Sequence, residues 1–271
     1  MASIRHITLP AGFVANGVAC GVKASGKEDL AIIASTSDAA AAVVTTQNQV
    51  VGAPVLRIRR LMPKGFGTLR GVVSNSGVSN VATAARLLKT QPDKVLVAST
   101  GVIGHRLPMD KIRRGIAAAA ASMGTTRDTN ALRAMMTTDT REKCAVVQTT
   151  LGGKSVTLAG VVKGSGMISP CMATMIGVLT TDAAIAPAAL YKALKQVVPD
   201  TFNAVTVDSD TSTSDTVVAL ANGAAGNKTV TAGSADFAKF VALLHEVCYE
   251  LSYALAADGE GATKVAEIAV V

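Results

Sequence analysis

Aromatic residues are scarce in this sequence: only 3% of its 271 residues are Phe, Tyr or Trp, and tryptophan is absent. Proteins that bind single-stranded nucleic acid stack the bases on aromatic side chains, so the shortage argues against such a partner despite the net charge of +7. Residues 1–135 hold 17 Lys and Arg against 6 Asp and Glu. We expect this basic half to attract the acidic second half and to face an anionic small substrate.

Long apolar runs, a leader sequence and paired cysteines are missing too. No stretch reaches the roughly 20 apolar residues that a membrane span needs, and the alanine-rich run Ile116–Met123 is too short. The N-terminus, with Arg5 and His6, lacks the apolar core of a signal peptide. The cysteines form neither a CxxC pair nor a disulfide-type cluster; they are Cys20, Cys144, Cys171 and Cys248. The sequence thus predicts a cytoplasmic protein without a membrane span, a disulfide scaffold or a metal site.

Alanine, valine and glycine are abundant, and 49% of the sequence is hydrophobic. Val/Ile-rich runs between turns predict strands at Gly12–Val22, Leu30–Ser35, Val50–Ile58, Gly71–Ser74, Lys143–Thr149, Ser155–Val162, Met175–Leu179 and Thr263–Val271. Helical patterns occur at Val81–Leu88, from Pro108 through Met123, at Pro187–Val198, and from Phe237 to Leu255 with Ser234 as the N-cap. This alternation predicts an α/β protein with layered mixed sheets flanked by helices.

Two patterns imitate ligand sites without meeting their chemical requirements. The glycines and lysine of residues 21–27 resemble a phosphate-binding loop, but Glu28 stands where a Ser or Thr would hold magnesium. The acidic residues of 208–212 resemble a calcium loop, but Thr213 replaces the glycine that the sharp turn of the loop needs. Neither a nucleotide site nor a calcium site is therefore predicted.

The segment KGSGMISPCMATM, residues 163–175, has an unusual composition: two glycines flank a serine, a proline follows, and a small residue directly precedes Thr174. Such a segment can bend sharply enough to hold the Thr174 hydroxyl against the Ala173 carbonyl. An N-to-O acyl shift and hydrolysis of the ester would then cut the chain between these residues. The freed α-amine, with a pKa of about 7.7 to 8, can act as general base for the hydroxyl on the same residue. On the residues alone, an ordinary glycine-rich turn is the alternative.

In this segment and in five other ordered blocks the chain resembles the ornithine acetyltransferase (glutamate N-acetyltransferase) family. The blocks are GFVANGVACGVKASGKEDLAII (Gly12–Ile33), STGVIGHRLPMDKI (Ser99–Ile112), MTTDTREK (Met136–Lys143), FNAVTVDSDTSTSDT (Phe202–Thr216) and DGEGATK (Asp258–Lys264). They extend over almost the whole chain. The resemblance implies a layered α/β/β/α fold of the N-terminal-nucleophile type and an acyltransferase of arginine biosynthesis, although some members serve antibiotic pathways.

The resemblance also implies roles for individual residues. In the family the threonine of the ATM motif is the cleavage point and the nucleophile, which implies cleavage after Ala173 and Thr174 as the nucleophile. The STG motif implies an oxyanion hole formed by the Thr100 hydroxyl and the Gly101 backbone N–H, each donor contributing about 3 kcal/mol in the transition state. Substrate contacts are implied for Thr137, Lys163, Thr174 and Glu260. A cation and an anion suit the carboxylate and the amine of an amino-acid substrate.

The reaction that the resemblance implies is a ping-pong acetyl transfer. N-Acetylornithine would acetylate the Thr174 hydroxyl, ornithine would leave, and glutamate would take the acetyl group. No cofactor and no metal are expected, although acetyl-CoA serves some members as the acetyl donor. Cleavage would leave an α chain, 1–173, associated with a β chain, 174–271. We expect oligomers of such αβ units, with neither nucleic acid nor a membrane as partner.

The chain departs from the family pattern in three places. Val78 stands within a turn that is rich in asparagine in the family, and Cys171 stands where Asn or Asp is more common. The sequence ends at Val271, before a DPNWGR motif and the terminal Asn and Thr that complete the substrate pocket in the family. The expectation from this last departure is a truncated C-terminal lobe, with self-cleavage better supported than full turnover.

Three alternatives to the transferase stay open. In a related N-terminal-nucleophile hydrolase or aminopeptidase, water would accept the acyl group in place of an amine. A non-catalytic binding or assembly protein would fold and oligomerise without forming an acetyl-enzyme. A nucleophile built from Cys171 with His105 or His245 is the third, although no surrounding motif specifies such a pair.

Overall fold

The computed structural model describes residues 6–75, 81–101, 108–170 and 174–269. The first part of the chain contains β1 (Phe13–Val18), β2 (Leu30–Thr45), α1 (Ala53–Leu61), β3 (Phe66–Asn75), α2 (Val81–Leu87), β4 (Val95–Ser99), α3 (Met109–Ala121) and α4 (Asp128–Met135). The second part contains β5 (Cys144–Leu151), β6 (Lys154–Lys163), β7 (Ile176–Thr181), α5 (Pro187–Val197), β8 (Thr216–Ala221) and α6 (Asp236–Ala257). Short 3-10 turns at Pro92–Lys94 and Phe202–Ala204 complete the regular structure of these residues.

The strands form a mixed sheet in the order β4-β3-β2-β8-β7-β6-β5, with β1 paired to β2. The β3–β4 and β7–β8 pairs are parallel, and the other pairs are antiparallel. Strand β2 is 16 residues long and changes partners: its first part pairs with β1 and its last part with β8, with an irregular register between Ala34 and Ala39. Because such an irregularity bends and twists a strand, β2 is the bent connection between the two parts of the sheet.

Buried side chains alternate between the two faces of the sheet, as strand geometry requires. One face carries a cluster that includes Val161, Ile176 and Val218 and is packed against α1 and α4. The other face packs against α5 and α6 beside β5–β8, and against α2 and α3 beside β2–β4. The predicted α/β class, with mixed sheets flanked by helices, is confirmed.

Helix α6 is 22 residues long and, by length and composition, could cross a membrane. Its Phe240, Leu244, Cys248 and Leu251 form one helical stripe that is fully buried in the cluster shared with β5, β6 and α5. A helix that buries one face in the protein's own core in this way is typical of a core helix.

Three local expectations are wrong. Val50–Ile58 is not a strand, because Pro54 opens α1 at a favoured first-turn position and the helix buries one side. Residues 263–269 form no strand; their later part lies along α6, where Glu267 accepts a hydrogen bond from Tyr249 at 2.8 Å. Ser234 does not cap α6, since its hydroxyl donates to the Thr231 carbonyl at 2.8 Å instead.

Candidate active site

Strands β6 and β7 bring the two ends of the segment 163–175 together. Lys163 is the last residue of β6 and pairs with Ile176, the first residue of β7. Thr174 lies two residues before Ile176, at a bend of the chain, and Met175 between them is buried in the cluster beside α5 and α6. Lys163 is 1% exposed, and the Thr174 hydroxyl is buried without a hydrogen-bond partner. A buried cation and an unpaired hydroxyl thus lie at the start of β7.

Two glycines allow the segment to approach its neighbours closely. Gly164 has a φ of 150°, and a Cβ at this position would lie 2.7 Å from the Thr174 carbonyl oxygen. A Cβ on Gly166 would lie 2.5 Å from the carboxyl carbon of Glu260. Both distances are well below van der Waals contact. A side chain at position 164 would push the turn away from the Thr174 backbone, whereas one at position 166 would displace the Glu260 side chain.

The Lys163 ammonium is buried, and few contacts replace the water that it has lost. Burial lowers its pKa, while the charges of Asp139 and Asp215 act in the opposite direction. Within the described residues this ammonium donates no hydrogen bond, whereas that of Lys143 binds two carboxylates. A buried cation with spare donors is suited to bind the carboxylate of a ligand.

Asp139 connects Lys163 and the turn that follows it to the loop after α4. Its Oδ1 accepts hydrogen bonds from the Gly164 N–H at 2.7 Å and from the Lys143 ammonium at 2.6 Å, and its Oδ2 accepts the Thr137 N–H at 2.9 Å. Burial alone would raise the pKa of Asp139, but the Lys163 and Lys143 charges and the Gly164 hydrogen bond outweigh it and lower the pKa. Asp139 therefore carries a negative charge next to Lys163.

Lys143 extends this network to the end of α6. Its ammonium lies 2.5 Å from Asp258 Oδ2, and the Lys143 and Asp139 side chains are 0% exposed and that of Asp258 2%. Asp258 also accepts hydrogen bonds from the backbone N–H, at 3.1 Å, and the hydroxyl of Thr140. The MTTDTREK and DGEGATK blocks, which are far apart in the sequence, are thus joined by buried charges.

The KGSGM turn lies between these two blocks. The Thr138 and Ser165 hydroxyls are 2.7 Å apart, and the Glu260 N–H donates to the Ser165 carbonyl at 2.7 Å. With the contact between Gly166 and Glu260, these bonds place Lys163, Glu260, Thr174 and the loop of Thr137 in one region. The structure therefore brings together the four positions for which substrate contacts were expected.

A cleft of about 650 Å³ opens on the Thr137 side of this region. Its lining carries four cations and three carboxylates: Lys23, Lys27, Arg133, Arg141, Glu28, Asp139 and Glu142. Several of them are already engaged; Lys23 binds backbone carbonyls and Arg133 lies 2.6 Å from Glu142. Because the charges nearly balance, the cleft suits a zwitterionic amino acid better than a polyanion.

Thr100 and Gly101 follow β4 at the edge of the strand order. The Thr100 N–H donates to the Asn75 carbonyl at 3.1 Å, and Gly101 has a φ of 140°. The register places the end of β4 beside the end of β3 and the start of β2, whereas the starts of β7 and β8 lie at the end of β2. Among the described residues, no hydrogen bond joins Thr100 or Gly101 to Thr174. The oxyanion hole stays a prediction, and Ala173 and residues 102–107 lie outside the described residues.

The structure adds charged residues whose roles the sequence did not reveal. Asp208 accepts the backbone N–H groups of Met167 at 2.5 Å and Ile168 at 3.0 Å and so fixes the end of the KGSGM turn. Asp215, fully buried, accepts the Met175 N–H at 3.0 Å. Both residues belong to the block Phe202–Thr216, which is rich in Ser, Thr and Asp. Such a composition is also typical of an exposed loop. The sequence alone therefore does not distinguish these two carboxylates from ordinary surface charges.

Cysteine and metal chemistry find little support in the described part of the chain. The pKa values of Cys20, Cys144 and Cys248 are raised, mainly by burial, so these groups are thiols at neutral pH. No group of three or more His, Cys, Asp or Glu side chains is placed to hold a metal ion among the residues described. Cys171 and His105 lie outside them, and His245 stacks on Tyr249 along α6 with ring centroids 6.2 Å apart.

Comparison with known proteins gives consistent matches. The sequence profile of the ArgJ family matches residues 14–271. The arginine biosynthesis bifunctional protein ArgJ of Symbiobacterium thermophilum is 45% identical over 280 residues, 97% of this chain and 69% of that protein. The crystal structure of ornithine acetyltransferase complexed with ornithine, from Mycobacterium tuberculosis, is 36% identical, with a TM-score of 0.52 over 61% of this chain and 95% of that chain. An L-aminopeptidase D-Ala-esterase/amidase from Ochrobactrum anthropi, a variant of the Ntn hydrolase fold, has a TM-score of 0.56 over 96% of this chain and 88% of its own, but at 11% identity this is a likeness of fold alone.

Proposed function

Since the chain belongs to the ArgJ family, we propose that it is a self-cleaving N-acyltransferase of arginine biosynthesis with Thr174 as its nucleophile. The observation that carries the proposal is the Thr174 hydroxyl, which is buried without a hydrogen-bond partner next to the strand that ends in the buried Lys163. Buried polar groups are almost always hydrogen-bonded, because an unpaired one loses its bond to water without replacement. An exception at this position is best explained by a chemical role.

Self-cleavage would begin with attack of the Thr174 hydroxyl on the Ala173 carbonyl. The close approach of Gly164 to the Thr174 carbonyl oxygen and the hydrogen bond from the Met175 N–H to Asp215 hold the chain on both sides of this residue. A fixed backbone keeps the hydroxyl near one carbonyl and so lowers the entropic part of the barrier. Hydrolysis of the resulting ester would leave Thr174 with a free amine and a free hydroxyl.

The two products, 1–173 and 174–271, would stay together. Strand β7 of the second fragment pairs with β6 of the first over six residue pairs, from Lys163–Ile176 to Leu158–Thr181. Strand β8 of the second fragment also pairs with β2 of the first, from Ala40–Ala221 to Thr45–Thr216. Separating the fragments would break both pairings and expose the buried clusters on both faces of the sheet, so we expect a stable αβ unit.

The cleaved enzyme would carry the acetyl group on the Thr174 oxygen. The new α-amine, with a pKa of about 7.7 to 8 in the absence of other effects, would accept the hydroxyl proton when N-acetylornithine is attacked. Ornithine would leave, and the amine of glutamate would attack the ester. The predicted donors Thr100 and Gly101 would stabilise the oxyanion in both steps.

Amino-acid substrates fit the charges around Thr174. The Lys163 ammonium has spare donors for a carboxylate, and Glu260, exposed beside Gly166, offers an anion for an amine. Thr137 lines the adjoining cleft, whose nearly balanced charges suit a zwitterion. These contacts support N-acetylornithine and glutamate as substrates. They also favour an acetyl donor that carries a carboxylate over a neutral acetyl donor.

The competing hydrolase or aminopeptidase function rests on a likeness of fold at 11% identity. The transferase function rests on 45% identity over almost the whole chain and is therefore the better supported. In the hydrolase the acetyl-enzyme would decay to acetate at the same rate with and without glutamate. In a non-catalytic protein it would not form.

Intact-mass measurement of the purified protein tests the proposal. We expect two fragments, the second beginning at Thr174, one uncut chain for Thr174→Ala, and cleavage retained in the control Thr174→Ser, which keeps a hydroxyl. N-Acetylornithine should then add one acetyl group to the second fragment, and glutamate should remove it. Cleavage of Thr174→Ala at the same bond would show that the nucleophile is misassigned.

A further inference from the structure

Apart from holding the backbone after Thr174, Asp215 has no role in the reaction described so far, yet it is fully buried directly before β8. Its Oδ1 accepts the Met175 N–H at 3.0 Å, and the next residue, Thr216, donates its N–H to the Met175 carbonyl at 3.1 Å. The carboxyl group is thus fixed to the amide that directly follows Thr174. Only a few covalent bonds separate that amide nitrogen from the Thr174 hydroxyl.

Each of these two residues has one buried polar atom without a hydrogen-bond partner, namely Asp215 Oδ2 and Thr174 Oγ1. The hydroxyls of Thr46 and Ser212 lie near this carboxyl group and have bonds of their own: Thr46 donates to the Ser212 carbonyl at 2.9 Å, and the Ser212 hydroxyl accepts the Ser214 N–H at 3.1 Å. A carboxylate oxygen and a hydroxyl are chemically complementary, because one accepts the proton that the other carries. Leaving both atoms buried and unpaired costs stability. Since Asp215 is bonded to the amide that follows Thr174, the cost points to a use in the reaction.

We propose that Asp215 accepts the proton of the Thr174 hydroxyl during self-cleavage and delivers it to the Thr174 nitrogen. The inference rests on the proposed function, since it has meaning only if Thr174 cuts the chain. It assigns the proton acceptor for the first cleavage, at which time the α-amine of Thr174 is still bound in the peptide and cannot act as a base.

The steps balance without a further reactant other than water. Thr174 Oγ1 forms a bond to the Ala173 carbonyl carbon while its proton moves to Asp215 Oδ2. The bond from this carbon to the Thr174 nitrogen then breaks, and the same proton passes from Asp215 to the departing nitrogen, giving an amine and an ester. Water hydrolyses the ester to the Ala173 carboxylate and the free Thr174 hydroxyl, and Asp215 is again ionised.

The electrostatic surroundings of Asp215 suit this task. Burial raises its pKa to about 7, against the opposing effects of the Met175 N–H, the Ser212 and Thr46 hydroxyls and the Lys163 ammonium. Lys163, on β6, is the charged group that acts on Asp215, and Asp139, Lys143 and Lys23 act on Lys163 in turn. A proton-transfer group works best when its pKa lies near the operating pH. Because the acceptor is the ionised form, self-cleavage should become faster as the pH rises through about 7 and then level off.

The test measures the first-order rate of self-cleavage between about pH 5.5 and 8.5, across the range in which such a group titrates. Full-length chain is made in a short cell-free pulse with labelled methionine and diluted into each buffer, and the precursor is followed on denaturing gels. Asp215→Asn should cleave about 10²- to 10⁴-fold more slowly and lose the rise with pH, because its amide can still accept the Met175 N–H but cannot take a proton. Asp215→Glu should keep a rise with pH at a reduced rate.

Asp210→Asn is the matched control, because it removes an exposed carboxylate from the same loop and should behave as the unsubstituted protein. If Asp215→Asn cleaves at the unsubstituted rate while Thr174→Ala stays uncut, the role of Asp215 is wrong and the proposed function stands. If Thr174→Ala is cut, the proposed function itself fails. If circular dichroism shows that Asp215→Asn does not fold, the pH dependence of cleavage in the unsubstituted protein is the test. A cleavage rate that does not change with pH around 7 overturns the inference.

Discussion

Replacing Lys143 by Met should destabilise the protein by about 3–5 kcal/mol at pH 7, because breaking a buried ion pair leaves a charge unpaired in the interior. Met roughly preserves the volume, so the loss is mainly electrostatic. Lys143 is fully buried and binds Asp139 at 2.6 Å and Asp258 at 2.5 Å. The substitution removes the cation shared by two buried carboxylates. At roughly 2–4 °C per kcal/mol for a chain of this size, the unfolding midpoint should fall by about 10 °C.

The loss of stability caused by Lys143→Met should depend on pH. Despite burial, the pKa of Asp139 is lowered in the folded protein by the charges of Lys163 and Lys143 and by hydrogen bonds, and the pKa of Asp258 is lowered by Lys143 and by hydrogen bonds from Thr140. A carboxyl with a lowered pKa stabilises the fold above its unfolded pKa and loses this contribution as the pH falls through the folded pKa. The difference between the Lys143→Met protein and its parent should therefore be fully present at neutral pH and shrink as the pH falls below about 4.

Urea and thermal unfolding, followed by circular dichroism in a Thr174→Ala background, measure the effect on a single uncut chain. Lys239→Met is the matched control: its side chain is 65% exposed and lies 3.7 Å from Asp236. Loss of an exposed pair should cost less than about 1 kcal/mol. If Lys143→Met stays within about 1 kcal/mol of its parent at neutral pH, buried charges do not hold the two loops together and the reasoning is refuted.

Two further predictions concern the geometry of the site. Intact-mass measurement of Gly164→Ala should show a large uncut fraction, because the new Cβ would lie 2.7 Å from the Thr174 carbonyl oxygen. The control Gly233→Ala should be cut normally, because a Cβ at that position meets nothing within 4 Å. Equal cleavage of the two variants would contradict this. Thr100→Ala should lower kcat for acetyl transfer by about a hundredfold with KM nearly unchanged, since an oxyanion donor acts in the transition state; a change in KM alone would exclude that role.

The sequence predicts the α/β class, and the KGSGM, MTTD and DGEG motifs that it singles out lie in one region of the structure. The residues of the KGSGM turn have few structural uses other than a sharp bend, and a Thr after a small residue at its end is an uncommon combination. The family resemblance then selects Lys163, Thr137 and Glu260 from among many charged and polar residues. The structure brings these positions together through hydrogen bonds at Ser165 and Asp139.

Other features could not be predicted because long-range packing decides them. Strand β8 follows a Ser/Thr/Asp-rich stretch typical of a loop, yet all six of its residues are buried between β2 and β7. The alanines 39–42 have a high helix propensity, but β2 continues through them because β3 and β8 pair on either side. The burial of Asp215 and Lys143 likewise could not be predicted from the neighbouring residues, since most charged residues in proteins are exposed.

The position of β7 between β6 and β8 has a consequence for how the protein can recover from unfolding. Before the cut, every strand belongs to one molecule, and the chain can fold by a first-order process. After the proposed cut, β7 and β8 would belong to a different polypeptide from β6 and β2, with which they pair. Refolding then requires two fragments to meet and becomes second order, so that stability depends on protein concentration. Self-cleavage would thus make the native assembly a product of its folding history, formed readily by the precursor and only slowly from its dilute fragments.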